Sequence, residues 1–292
     1  MLGQALAARL TIALFLALAL PATACLDQPA TVLPAREGRT PSGLFYQVTG
    51  SGPPVVLVHG AMLDRRQWNP QSPLAERFTV IRYDTRWHGQ SAGADTAFLA
   101  ADDLQAVLDA VGVDRAAIVG LSNGARIAVD FALTHPGRID RMVLVSPGLG
   151  GYQPVERLAF WTPMMAALGA GRFDSAAAVL ASSPVMAVGT GDSGWVSAMV
   201  RGHAGVFRQN PALERQLTPP AISRLGEIET PTLVITGGAD MRDIILTGDA
   251  LQHGIAGARR VVLPGARHLL NISEAQAFNR ILLAFLTEHR AR

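Results

Sequence analysis

The pentapeptide Gly120-Leu121-Ser122-Asn123-Gly124 is the segment best equipped for covalent chemistry. A serine hydroxyl is a weak nucleophile until it is exposed and held beside a base. A sharp turn from strand to helix exposes it, because small flanking glycines let the backbones approach and the side chain projects above the sheet. The flanks fit that geometry: residues 116–119 (Ala-Ala-Ile-Val) read as a buried strand, and 125–133 as a helix. The chemistry predicted is catalysis through a serine nucleophile. The competing reading is a glycine-rich turn whose serine only caps the helix. No histidine or carboxylate spacing forms a metal-ligand set, and no G-x-G-x-x-G follows a strand, so neither a metal nor a cofactor is expected.

The elements that must position Ser122 can be read from periodicity. Short apolar runs at 55–58, 78–83, 116–119, 142–145, 232–235 and 260–263 end in Gly, Pro, Asp or His and predict buried parallel strands. Between them, Leu104, Val107, Leu108 and Val111 recur at helical spacing, as do Phe278, Ile281, Leu282 and Phe285. Strand and helix alternate, which predicts a doubly wound α/β fold with a mostly parallel sheet. From about 149 to 220 the strand signal disappears and Ala, Met, Gly and Pro dominate, which predicts an inserted, mainly helical lid over the C-terminal edge of the sheet. The folded domain is expected over 43–292, preceded by an export signal at 1–24 and a linker at 25–42.

Composition sets the outer bounds. With 292 residues, 49% hydrophobic and 16% charged, the chain can bury a large single-domain core. Its 25 basic and 23 acidic residues are scattered, without the basic runs that track a phosphate backbone, so nucleic acid is not an expected partner. Arg9, an apolar run over 10–20 and Pro21-Ala22-Thr23-Ala24 form the three parts of a secretory signal, and the run is too short to span a bilayer. Cys25, the only cysteine, follows the expected cleavage point. Its position resembles the acylated first residue of bacterial lipoproteins, although Ala22 stands where that pattern has a larger apolar residue. A membrane tether through Cys25, simple secretion and an incidental thiol all remain open.

Four further segments, in order with Ser122, resemble the α/β-hydrolase superfamily over nearly all of 43–290 except the lid. They are His59-Gly60; Tyr83-Asp84 with Arg86-Trp87-His88-Gly89-Gln90-Ser91; Gly237-Gly238-Ala239-Asp240; and Gly265-Ala266-Arg267-His268. The resemblance implies a Ser122, Asp240, His268 triad in the family's chain order, with His268 as general base and then general acid, and Asp240 orienting its imidazole. Asp243 lies three residues on and competes with Asp240. No carboxylate follows the strand at 142–145, which disfavours the variant that takes its acid there. The resemblance also implies an oxyanion site made by the backbone N–H groups of Ala61 and Asn123, with His59 structural. Trp87 stands where the family has a glycine, which puts that loop's backbone in question and could set an aromatic wall near the pocket.

These readings predict hydrolysis of a small to medium carboxylic ester or lactone, a small-molecule substrate, through an acyl-enzyme. The same triad also serves C–C bond hydrolases, amidases and perhydrolases, and a non-catalytic ligand-binding protein on the same scaffold is the alternative from another class. Trp161, Met164, Met165, Phe173, Met186, Trp195 and Met199 make the lid apolar and adaptable, either to receive an apolar acyl or alcohol group or only to pack the lid onto the body. No segment specifies an oligomeric state.

Overall fold

The computed structural model describes residues 35–188 and 194–288. The expected export signal and Cys25 lie outside the described residues. Eight strands form one sheet: β1 Arg36–Arg39, β2 Phe45–Thr49, β3 Pro54–Val58, β4 Thr79–Tyr83, β5 Ala116–Leu121, β6 Ile139–Val145, β7 Thr232–Gly237 and β8 Arg259–Leu263. Their order is β1-β2-β4-β3-β5-β6-β7-β8. The pairs from β4 through β8 are parallel, as expected, while β1 and β2 join antiparallel at one edge.

Two expectations need correction. The linker expected over 25–42 ends earlier, because Arg36–Arg39 pairs with β2 as an edge strand. An edge strand needs no apolar face, and Arg-Glu-Gly-Arg offers none to read. Gly38 admits the Tyr46 ring, whose hydroxyl would lie 2.4 Å from a Cβ placed there. β8, expected to be buried, is the opposite edge and leaves Val262 48% exposed.

The central strands are apolar on both faces because helices cover both. All six residues of β5 are buried. Along β3, Val56 and Val58 face one core and Val55 and Leu57 the other, the alternation that a pleat imposes. The first core receives α1 Ala100–Val111 and α2 Asn123–Thr134. In α1, Leu104, Val107 and Leu108 are fully buried, each worth about 1.5–3 kcal/mol. Gly112 ends that helix in the left-handed conformation, its N–H donating to the carbonyls of Asp109 and Leu108.

The lid supplies α3 Trp161–Gly169, α4 Phe173–Ala181 and α5 Gly194–Gly202, and none of its described residues adds a strand to the sheet. After it, α6 Arg242–Gly254 packs on the first core, and the short α7 Leu270–Ser273 leads into α8 Ala275–Thr287. The second core joins α8, the 3-10 segment Arg65–Glu76 and the buried side of the lid, with Trp68 and Phe278 at ring centroids 6.4 Å apart.

Candidate active site

Ser122 sits at the sharp turn between β5 and α2, with φ 55° and ψ −112°. This region costs a non-glycine residue about 1–3 kcal/mol unless its surroundings fix it. They do: the Ser122 N–H donates to Val145 O at 2.9 Å, and its carbonyl accepts from the Gly148 N–H at 3.0 Å. The flanking glycines are a steric requirement. A Cβ on Gly120 would lie 2.2 Å from the Gly124 carbonyl oxygen, and one on Gly124 would lie 2.1 Å from that of Val58. The Ser122 side chain does not cap α2, so the capping reading fails.

The loops after β7 and β8 interlock and deliver the other two groups. The N–H of Gly238 donates to Leu263 O at 2.8 Å and that of Ala239 to Ala266 O at 2.9 Å, while a Cβ on Gly237 would strike the Ala266 oxygen at 2.2 Å. This close approach sets His268 Nδ1 3.1 Å from Asp240 Oδ1 and 3.3 Å from Oδ2, with both side chains buried. Donation from Nδ1 to the carboxylate fixes the tautomer and leaves Nε2 basic. Asp243 points elsewhere: it accepts from the Tyr152 hydroxyl at 3.0 Å and from the backbone N–H groups of Val155 and Glu156.

Ser122 and His268 line one cavity of about 360 Å³, together with Ala61. Of the apolar lid residues, Trp161, Met164, Met165 and Met186 face this cavity; Phe173, Trp195 and Met199 do not line it. The Ser122 hydroxyl makes no hydrogen bond to His268 in this state; such contacts tighten when substrate is bound.

Ala61 lies in a loop held on both sides. The Gly60 N–H donates to Gln67 Oε1 at 2.8 Å, and the Gly60 carbonyl accepts from His59 Nδ1 at 2.8 Å. The Met62 N–H donates to His88 Nε2 at 3.1 Å, and the Met62 carbonyl lies 3.2 Å from His203 Nδ1. His59 Nε2 in turn accepts from the Thr85 N–H at 2.9 Å. Burial pushes the His59 imidazole down to about 4, and burial with His59 nearby pushes His88 down to about 3, so both are neutral acceptors. Asn123 begins α2, where the first N–H groups have no intrahelical acceptor and the helix dipole is positive.

A second cavity of about 260 Å³ shares Ala61 and Met62 with the first and adds Asn123. Trp87 lines it and adopts φ 64°, the conformation a glycine would take, so the departure at that position leaves the turn intact. Its ring meets Phe98 edge-to-face at 5.4 Å. Sequence reasoning singled out neither His203 of the lid nor Phe98 and Glu214. They lie in segments without a motif, and only the fold brings them to the site.

Residues 55–281 match the model of the Alpha/beta hydrolase family, and the chain belongs to it. An uncharacterised protein of Mycobacterium tuberculosis is 39% identical over 107 residues, which are 35% of this chain and 31% of that one, so the chain spans about a third of that relative's length. A 2-hydroxy-6-oxononadienedioate/2-hydroxy-6-oxononatrienedioate hydrolase of Dechloromonas aromatica is 28% identical over 86% of this chain and 93% of its own. The crystal structure of an enol-lactonase from Burkholderia xenovorans LB400 is similar with a TM-score of 0.71 and 28% identity, covering 87% of this chain and all of that one.

Proposed function

We propose that the protein is a serine hydrolase that cleaves a small to medium carboxylic ester or lactone through an acyl-enzyme on Ser122. The observation that carries this reading is the buried Asp240–His268 pair opening on the same cavity as Ser122. In the proposed cycle Ser122 Oγ attacks the carbonyl carbon while His268 Nε2 takes its proton, and Asp240 stabilises the imidazolium that forms. The N–H groups of Ala61 and Asn123 hold the oxyanion, aided by the positive end of α2. His268 then protonates the leaving alkoxide, and water activated by the same imidazole releases the acid. The likeness to an enol-lactonase supports acyl transfer from an oxygen leaving group.

The dienedioate hydrolase relative favours a second reading, C–C bond cleavage of a dioate. Arg side chains are the strongest partners for the carboxylates of such a substrate. Among the described residues, the first cavity is lined by no Arg or Lys, and Arg86, in the second, is already bound by Asp103. The ester and lactone reading is therefore preferred.

Hydrolysis of p-nitrophenyl acetate, butyrate and octanoate by the wild type, Ser122→Ala and His268→Ala tests it. Turnover of at least one ester, with both variants about 10³-fold or more slower, is expected. A folded wild type no faster than its variants on every ester defeats the proposal.

A further inference from the structure

We propose that Gln67 is a positioning residue for the oxyanion site: its side-chain oxygen fixes the peptide plane that precedes Ala61, and a buried amide network ties that plane to the segment carrying His268. The proposal rests on the hydrolase reading above, because Gln67 acts only through the Ala61 N–H and touches no substrate.

The loop leaves one N–H free. The N–H groups of Gly60, Met62, Leu63 and Asp64 donate to Gln67 Oε1, His88 Nε2, the Gly60 carbonyl and Met199 Sδ, at 2.8, 3.1, 3.3 and 3.3 Å. The Ala61 N–H between them has no acceptor among the described residues, and Ala61 lines the Ser122 cavity. A Cβ on Gly60 would lie 3.6 Å from that of Ser122, so this part of the loop abuts the nucleophile turn.

Such a donor is useful only if it points one way. The Gly60 carbonyl and the Ala61 N–H share one planar peptide unit, and the Gly60 N–H belongs to the unit before it. Glycine joins the two units with little steric restraint of its own, so each must be held from outside. His59 Nδ1 holds the second through the Gly60 carbonyl at 2.8 Å, and Gln67 Oε1 holds the first. Two residues past Gly60, Met62 stands at φ 62°, a conformation that persists only where its surroundings impose it.

Gln67 is itself fixed. It is fully buried in the 3-10 segment, and its carbonyl accepts from Asn271 Nδ2 at 3.3 Å. Asn271 Nδ2 also donates to Gln71 Oε1 at 3.0 Å, and Gln71 Nε2 returns a bond to the Asn271 carbonyl at 2.8 Å. Gln71 and Asn271 are fully buried too, and Asn271 follows three residues after His268. Hydrogen bonds between buried amides are strong in a low dielectric and hold their partners in one arrangement. The general base and the free N–H therefore take their separation from one network.

The test compares the wild type with Gln67→Met, which keeps the volume and removes the acceptor, and with Gln67→Glu, which keeps an oxygen facing Gly60. Gln67 Nε2 has no partner among the described residues, so the Glu variant gives up no hydrogen bond made there, and burial favours its neutral form. The readouts are kcat and KM on p-nitrophenyl butyrate, the melting temperature, and affinity for an alkyl trifluoromethyl ketone. Ser122 Oγ adds to the ketone carbon while His268 takes the proton, and the adduct, which carries the oxyanion, is followed by fluorine NMR. Gln67→Met should lose about 10–100-fold in kcat and in ketone affinity, with KM within about threefold of the wild type. Gln67→Glu should stay within about threefold in all of these. Gln67→Asn, which draws the oxygen back by one methylene, carries the same expectation as Gln67→Met and takes its place if that variant does not fold. A variant lacking the acceptor that melts lower but keeps the wild-type kcat and ketone affinity makes Gln67 a stability residue only and overturns the proposal, as does a Gln67→Glu as impaired as Gln67→Met. A wild type that forms the adduct but cleaves no ester defeats the ester reading alone, and the ketone affinities still decide the role of Gln67. A wild type that does neither overturns both.

Discussion

Asp240 Oδ1 lies 3.1 Å from His268 Nδ1 across a separation of 28 residues, while Asp243, one helical turn beyond Asp240, faces the start of the lid. Two carboxylates that sequence spacing alone could not separate thus have different structural tasks.

Replacing Asp240 with Asn keeps the shape but puts an amide where the imidazole N–H needs an acceptor. The expected result is a fall in kcat of about 10⁴-fold with little change in KM, measured on the best p-nitrophenyl ester.

Asp243→Ala tests the other task. It leaves the Tyr152 hydroxyl and the N–H groups of Val155 and Glu156 without their acceptor at the point where the chain enters the lid. These groups are near water, so the loss is modest. Amide exchange over 152–156 should accelerate and KM rise several-fold, with kcat within about threefold of the wild type. A kcat collapse as deep as that of Asp240→Asn would contradict the assignment.

Gly124→Ala puts a methyl 2.1 Å from the Val58 carbonyl oxygen, which only a shift of β3 or α2 could relieve. Overpacking of this kind costs about 1–3 kcal/mol. The melting temperature should drop by several degrees, and esterase activity should fall with it, because the same shift moves the Asn123 N–H.

Stability should decline on mild acidification. Unfolded imidazoles take up protons below about pH 6.5, but folded His59 does so only near 4 and His88 only near 3. Within that window the unfolded chain binds more protons, so stability decreases as pH falls, by up to about 1.4 kcal/mol per unit for each histidine. Denaturant midpoints from pH 7.5 to 4.5 should show this slope, and His59→Gln should make it shallower. A flat profile in the wild type would mean that these rings are not held neutral.

Much of this was legible in the sequence. The central parallel strands stand out because both their faces are buried, Ser122 stands out because it follows such a strand in a glycine-flanked turn, and His268 because it follows the last apolar run in a short loop, although that run is the exposed edge β8. The edge strand Arg36–Arg39 was not legible, since water replaces the apolar partner that would have marked it. Tyr83 and Trp87 were visible as motif members, but their shared cavity was not, because it is closed by Phe98 and Glu214 from distant segments. The His203 contact was equally hidden. Its hydrogen bonds are to backbone atoms, which leave no trace in residue type.

That contact ties the lid to two loops of the body. His203 belongs to the lid, and it touches the Met62 carbonyl while accepting from the Gly89 N–H at 2.8 Å. One ring of the lid is thus a cross-brace between the backbone of the Ala61–Met62 loop and that of the Gly89 turn, two segments 27 residues apart that share no other donor or acceptor from the lid among the described residues.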